Sequence, residues 1–379
     1  MIEVSKMKVS RISVKNFKSF EQLNLDGFQE FSVLIGQNGV GKSNLMSVFS
    51  FLSDCVTTGD INTAVERIGI SRLCYNGNST VPTEIAVTFR DDALNTAQYL
   101  LKIGYKQGKA ILEDEQLIVS ETVDGVVKNH HELHNKRGVC KLGDVTEQIK
   151  ETDIALSIFG RLPKYKETVA VYNFLKGVRT VNFALTALRS DSSIDDMQLS
   201  HLGHNLKSVA LEMQNVFPMQ FESVVEHMEC AMGITKILLQ KLPTGNIALS
   251  FVQGTKTISE AEISDGTLSL FAYYVLLEHP LNSSILCIEE PERNISHACL
   301  VQLAEVMRIK AKTENAQILV TSHSSEFISA LKLNEVFYVS TTDSGTSVTA
   351  LRGNMELKSH LKDIPLGELY TTGFIEAVL

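Results

Sequence analysis

The sequence predicts an α/β protein: a mixed, largely parallel sheet with flanking helices, joined by an antiparallel β segment and a compact helical insertion without coiled coil. Three observations carry this. The octapeptide GQNGVGKS, Gly36 to Ser43, lies between the apolar run Phe31-Ser32-Val33-Leu34-Ile35 and a helix-like stretch beginning Asn44-Leu45-Met46. From Asn246 to Val339, strand-like and helix-like segments alternate, the order expected of parallel strands connected by helices. Between Glu84 and Val127, short segments of period-two polarity are separated by turn-formers such as Gly108 and Asp124-Gly125, which predicts antiparallel hairpins.

Taken in order, Lys8 to Phe17 (KVSRISVKNF) alternates as an opening strand does, Phe31 to Ile35 is the next strand, and Lys42 to Leu52 reads as helix. Residues 1–90 are thus the first part of the core. EIAVTFR, at the end of the first part, begins an antiparallel pattern that YLLKIGY and KAILEDEQLIVS continue in a β segment assigned to residues 91–145. Residues 146–245 read as helical, and Gly160, Pro163, Gly177, Gly203 and Pro218 interrupt any heptad run, so a compact insertion is expected. Residues 246–379 complete the core. Their expected order is strand Asn246 to Val252, helix Gly266 to Leu277, strand Ser284 to Ile288, helix Ser296 to Ala311, strand Gln317 to Thr321, helix Ser324 to Leu331 and strand Glu335 to Val339.

Composition narrows the class. With 44% hydrophobic and 21% charged residues, a chain of 379 residues can bury a large core. MIEVSKMKVS has no apolar signal-peptide core, and no later apolar run approaches the ~20 residues of a membrane span, so a cytoplasmic protein without membrane partner is expected. Six scattered cysteines fit buried thiols and neither a zinc knuckle nor a disulfide framework. The net charge of −9 gives no global attraction to nucleic acid, although Lys128 to Arg179 holds ten Lys and Arg against six Asp and Glu.

The chemistry of GQNGVGKS follows from its residue types. Gly36, Gly39 and Gly41 allow the backbone of Gln37, Asn38 and Val40 to wrap a polyphosphate, with N–H groups and the following helix N-terminus facing the negative charge. Lys42 would reach the terminal phosphates, the Ser43 hydroxyl would sit on Mg²⁺, and Asn44 opens the helix beside them. Ser284-Ile285-Leu286-Cys287-Ile288 runs into Glu289-Glu290, two carboxylates at the carboxyl end of a buried strand. Glu289 is the expected Mg²⁺ ligand, and Glu290 the base that orients and deprotonates the attacking water. His323, in Ile318-Leu319-Val320-Thr321-Ser322-His323-Ser324, follows one helix and one strand later. A right-handed crossover would set it near Glu290, where it can donate to a terminal phosphate or to the water. Ile263-Ser264-Asp265-Gly266-Thr267 precedes an apolar helix and forms a second anion-facing helix start.

These motifs, in this order, resemble those of ABC-type P-loop NTPases, and more closely the branch that includes RecF and the SMC proteins. In that family GQNGVGKS is the Walker A loop, ISDGT is similar to the LSGGQ signature, ILCIEEPE is the Walker B strand and TSHS the histidine switch. KNFKSF, Lys15 to Phe20, is similar to the family's first strand. The resemblance implies ATP and Mg²⁺ as cofactors. It also implies a head-to-tail homodimer in which Ser264, Asp265 and Gly266 face the nucleotide held by the other copy. Glu289 stands where most members have Asp, and Asp265 and Thr267 where the signature has Gly and Gln. Gln98, Gln107, Gln116 and Gln148 leave the family's Q-loop unassigned, and Asn294-Ile295-Ser296-His297 departs from its D-loop. The substitutions, together with LGELYTTGF, Leu366 to Phe374, resemble the RecF-like AAA ATPases of bacterial mobile elements and defence islands.

The expected function is accordingly an ATPase switch of an anti-phage or toxin–antitoxin-like system that controls a separate effector such as a nuclease or toxin. Fifty-six residues follow His323, too few for the Toprim domain that overcoming-lysogenization-defect nucleases carry there. The alternative is a DNA-repair or chromosome-maintenance ATPase that clamps DNA on closing, with DNA or RNA contact through Lys136, Arg137, Lys164 and Lys166. A transporter subunit fits the signature and the KNFKSF opening poorly.

Overall fold

The computed structural model describes residues 7–379 except 92–94, 124–125, 191–197, 281–282 and 315. The turn expected at Asp124-Gly125 lies outside the described residues. Strands are numbered in chain order. The first nine are β1 (Lys8–Phe17), β2 (Phe20–Asp26), β3 (Phe31–Ile35), β4 (Thr83–Arg90), β5 (Thr96–Lys106), β6 (Lys109–Val123), β7 (Val126–Lys136), β8 (Val139–Leu142) and β9 (Val145–Gln148). The remainder are β10 (Val178–Val181), β11 (Ile234–Lys241), β12 (Ile247–Gln253), β13 (Lys256–Ser259), β14 (Ile285–Glu289), β15 (Gln317–Ser322), β16 (Val336–Thr342) and β17 (Gly345–Ala350).

Fourteen of them make one sheet, in the order β10-β14-β15-β3-β16-β17-β2-β1-β4-β5-β6-β7-β8-β9. The five strands from β10 to β16 are mutually parallel, and every later pairing is antiparallel. The largely parallel core of the sequence reading is this five-strand end. The antiparallel unit is continuous with it, since β4 pairs with β1 from Lys8↔Arg90 to Lys15↔Glu84.

Burial explains why the two ends read differently. All five residues of β3 are buried, so the strand is a continuous apolar run covered on both faces. Leu34 enters one core with Leu45, Phe49 and Leu52 of the helix Lys42–Thr58, while Phe31, Val33 and Ile35 enter a second core with Leu268, Phe271 and Val275. In β1, by contrast, Ile12 and Val14 are buried and Arg11 and Lys15 exposed, the alternation of a sheet with one wet face. Helix Asp265–Glu278 buries 12 of its 14 residues, as a helix apolar all round must. It lies under the helix Pro218–Met232, which also covers β11 of a separate sheet, β11-β12-β13.

Residues 146–245 are less helical than expected. They contain β10, which enters the core sheet parallel to β14 from Val178↔Ile285 to Val181↔Ile288, and β11. Four residues bounded by Gly177 and Asn182 are too few to show a period, so the strand is set by its pairing with β14 and not by local pattern. The longest described helices have 17 residues. Five cysteines are buried as expected, but Cys230 is exposed on the helix Pro218–Met232. No helix among the described residues is long and apolar enough to cross a membrane.

Candidate functional site

β3 delivers its chain into the glycine loop and the loop into the helix Lys42–Thr58. The glycines are demanded by geometry at two positions. Gly36 has φ 153° and a Cβ there would collide with the Val339 carbonyl oxygen; Gly41 has φ 106° and a Cβ would collide with Thr346 Oγ1. The loop is tied from three directions by Ser19 and Thr346. Asn44 Nδ2 donates to Ser19 Oγ at 2.8 Å, Thr346 Oγ1 to Ser19 Oγ at 2.8 Å, and Thr346 Oγ1 also reaches the Val40 carbonyl at 2.8 Å. The KNFKSF turn therefore braces the loop, and Asn16 and Lys18 hold φ of 52° and 50° to make that turn.

Lys42 is buried, and its ammonium donates to the carbonyls of Gly36 at 2.7 Å and Gln37 at 2.8 Å. Burial pulls its pKa down, and the carboxylates of Glu290 and Glu292 act against that pull. Gln37, Asn38 and Gly39 are exposed at the loop crown. A buried ammonium inside a glycine loop, with the crown open, fits an anionic polyphosphate. A groove of ≈ 660 Å³ beside it is lined by Lys18, Asn44, Arg67 and Arg72. Burial lowers the Lys18 ammonium too, with Glu289 as the opposing charge.

β14 and β15 lie next to each other in register from Ile285↔Gln317 to Glu289↔Thr321, which brings their carboxyl ends to one edge of the loop. Ser43 Oγ donates to Glu289 Oε2 at 3.0 Å across 246 residues of sequence. These two oxygens are ligands a hard divalent cation accepts. No group of three or more His, Cys, Asp or Glu among the described residues could hold a metal alone. The set fits Mg²⁺ that takes its other ligands from phosphate and water.

Glu290 sits in the left-handed region, φ 44°, with its N–H donating to the Thr321 carbonyl at 3.0 Å. Such backbone costs about 1–3 kcal/mol and persists where neighbours enforce it. The Glu290 carboxylate is gripped by Arg293, whose Nε lies 2.8 Å and Nη2 2.6 Å from Oε2. His323 Nδ1 stands 3.8 Å from Glu290 Oε1 and 3.2 Å from Glu292 Oε1.

Ser264, Asp265 and Gly266 do not join this cluster in the single chain. Ser264 caps its helix, with Oγ 3.2 Å from Thr267 N and 2.7 Å from Thr267 Oγ1. Asp265 is paired at 2.7 Å with Arg189, which also donates to the carbonyls of Ile263, at 3.0 Å, and Glu260. The Asp265 carboxylate is therefore paired with a guanidinium of its own chain.

The chain's own pattern hides four participants. Asn182, just past β10, donates to Glu289 Oε2 at 3.4 Å and accepts from Arg293 at 3.4 Å. Arg189, Arg293 and Glu292 complete the set. Asn182 and Glu289 are 107 residues apart, and the one local signal was an apolar residue, Val181, running into an amide at a strand end.

Residues 163–329 match the family model of an AAA domain described as putative AbiEii toxin, Type IV TA system. Over 88 residues the chain is 31% identical to the DNA replication and repair protein RecF of Lactococcus lactis subsp. cremoris, 22% of this chain and 24% of that protein. The matched part thus spans about a quarter of the length of that relative. An ATP/GTP phosphatase of Helicobacter pylori is 20% identical over 356 residues, 85% of this chain and 87% of its own. The crystal structure of an Smc head bound to the C-winged helix domain of ScpA superposes with a TM-score of 0.57 at 14% identity, covering 93% of this chain and 99% of that one.

Proposed function

We propose that this chain, which has the RecF/SMC-like ABC ATPase fold, binds ATP and Mg²⁺ at GQNGVGKS and hydrolyses ATP slowly as a head-to-tail homodimer. In this reading the open or closed dimer governs a separate effector of a bacterial anti-phage or toxin–antitoxin-like system. The observation that carries the nucleotide chemistry is the 3.0 Å contact of Ser43 with Glu289, one residue before Glu290 and one strand from His323. The description of the matching family speaks for the toxin–antitoxin context.

Each side chain then has a task. Lys42 exchanges its two carbonyl partners for phosphate oxygens. Ser43 and Glu289 hold Mg²⁺, which when bound neutralises charge on the phosphates. Glu290 takes the proton of the attacking water once Arg293 releases it, since the guanidinium occupies the Oε2 that the water would otherwise use. His323 holds the attacking water beside the terminal phosphate. Ser264 and Gly266 close on the nucleotide of the partner, and the Arg189 pairing keeps Asp265 from repelling it.

The test is light scattering of Glu290→Gln with and without ATP. A dimer that accumulates only with ATP, and decays on hydrolysis in the wild type, is expected; a monomer under both conditions sinks the switch. Purification from the native operon with mass spectrometry should recover an effector protein. A second reading, ATP-dependent DNA clamping, is favoured by the name of the RecF relatives and by exposed Lys136, Arg137, Lys164 and Lys166. It requires ATP-dependent, salt-sensitive retention of DNA on a filter.

A further inference from the structure

Glu292 is the second carboxylate beyond β14, after Glu290, and has no task in the reaction outlined above. Its side chain is only 8% exposed. Its Oε1 accepts from Ser322 Oγ at 3.0 Å and from the His323 backbone N–H at 2.9 Å, and lies 3.2 Å from His323 Nδ1. The other oxygen, Oε2, is buried and meets no donor among the described residues. The carboxylate is thus committed, through one oxygen, to the residue pair Ser322-His323. Glu290 is the poorer partner for the ring: its nearer oxygen is 3.8 Å away, and Arg293 already holds its Oε2.

The chemistry of the contact is specific. A carboxylate oxygen at Nδ1 demands an N–H there, because the ionised acid has no proton to give. The ring proton is then fixed on Nδ1, and Nε2 keeps its lone pair, an acceptor for the attacking water and not a donor to a phosphate oxygen. The same Oε1 holds the His323 backbone, so ring and main chain are anchored to one point and the ring plane is set. We propose that Glu292 is the positioning residue of His323, fixing its Nδ1–H tautomer and turning the Nε2 lone pair toward the attacking water; this rests on the reading of His323 as a residue that holds that water beside the terminal phosphate.

The test combines ¹⁵N-histidine NMR with hydrolysis assays on the full chain. Wild-type His323, assigned by its loss in His323→Gln, should show the neutral ring protonated on Nδ1, the tautomer that a free imidazole disfavours. Glu292→Ala should shift that proton to Nε2 and slow hydrolysis about 10- to 100-fold, with ATP affinity within about threefold and the melting temperature recorded alongside. Glu292→Gln, which keeps an acceptor oxygen, should retain the Nδ1–H tautomer and recover part of the rate. If Glu292→Ala fails to fold, the wild-type tautomer and the glutamine variant still decide. A wild-type ring protonated on Nε2, or a wild-type rate in folded Glu292→Ala, overturns the positioning role. If instead His323→Ala hydrolyses ATP at the wild-type rate, it is the reading of His323 as a water-holding residue that fails, whatever the tautomer.

Discussion

The two ends of the large sheet each bury a carboxylate, and they treat it differently. At the antiparallel end, Glu115 on β6 is fully buried and saturated by four donors: Tyr99 at 2.9 Å, Asn135 at 3.2 Å and the N–H groups of Ala155 and Leu156 at 2.8 Å each. It fastens β5, β6 and β7 to the start of the helix Ala155–Phe159. At the parallel end, Glu289, Glu290 and Glu292 each have a partner that can let go: a serine hydroxyl, a 54% exposed arginine, a histidine ring. Saturation by donors marks a carboxylate that builds; partial engagement at a strained strand end marks one free to change partners.

Substitutions at the two ends should separate these roles, the largest effect coming from the loop. Lys42→Ala should weaken ATP binding beyond detection in calorimetry while leaving the melting temperature within a few degrees, because its partners are two carbonyls of its own loop, those of Gly36 and Gln37. Glu290→Gln should lower turnover by about 10²–10⁴-fold with affinity retained; a wild-type rate would mean the base lies elsewhere. Glu115→Ala should do the reverse, costing at least about 3 kcal/mol in urea unfolding, since each buried donor left without an acceptor costs about 1–3 kcal/mol, with ATP affinity unchanged in whatever fraction folds. Arg189→Ala should be milder, about 1–2 kcal/mol or roughly tenfold in ATP-dependent dimer affinity, read by sedimentation.

The smallest expected effect is a pH dependence at the building end. Burial dominates over the four donors and holds the Glu115 carboxyl above its ordinary value of 4.5. The folded state therefore binds this proton more tightly than the unfolded state. Its contribution is full below the unfolded value and is lost as pH rises through the elevated folded value. Melting curves should show wild type losing stability across that interval relative to Glu115→Gln, whose amide does not titrate; parallel curves would contradict the direction.

What could be read from the chain alone was what sits in one local run. The strand, loop and helix around Gly36 to Ser43, the apolar run into Glu289-Glu290 and the strand before His323 are contiguous signals, and their adjacency followed from a single crossover. What escaped was set by topology. β10 is too short to show a period, so Asn182 beside Glu289 was hidden in a stretch read as helical. Arg189 reaches Asp265 across 76 residues, and Glu292 lies past Pro291, outside the apolar run that points to Glu289-Glu290.

The order of the strands also constrains how the chain can be made. β3, which carries the glycine loop, lies between β15 and β16, and β1 is pinned to Gln317 by bonds of 2.6 and 3.0 Å spanning 308 residues. At about 5–20 residues per second, the ribosome needs roughly 15 to 60 s after emitting Phe31 before the segment that flanks it exists. Throughout that interval β3 has no parallel neighbour, and its four apolar residues, Phe31, Val33, Leu34 and Ile35, lack the sheet that buries them. A nascent chain stalled before Gln317 would therefore leave the strand that feeds the glycine loop without either of its parallel neighbours, so the loop gains its sheet only after Gln317 to Thr342 has been made.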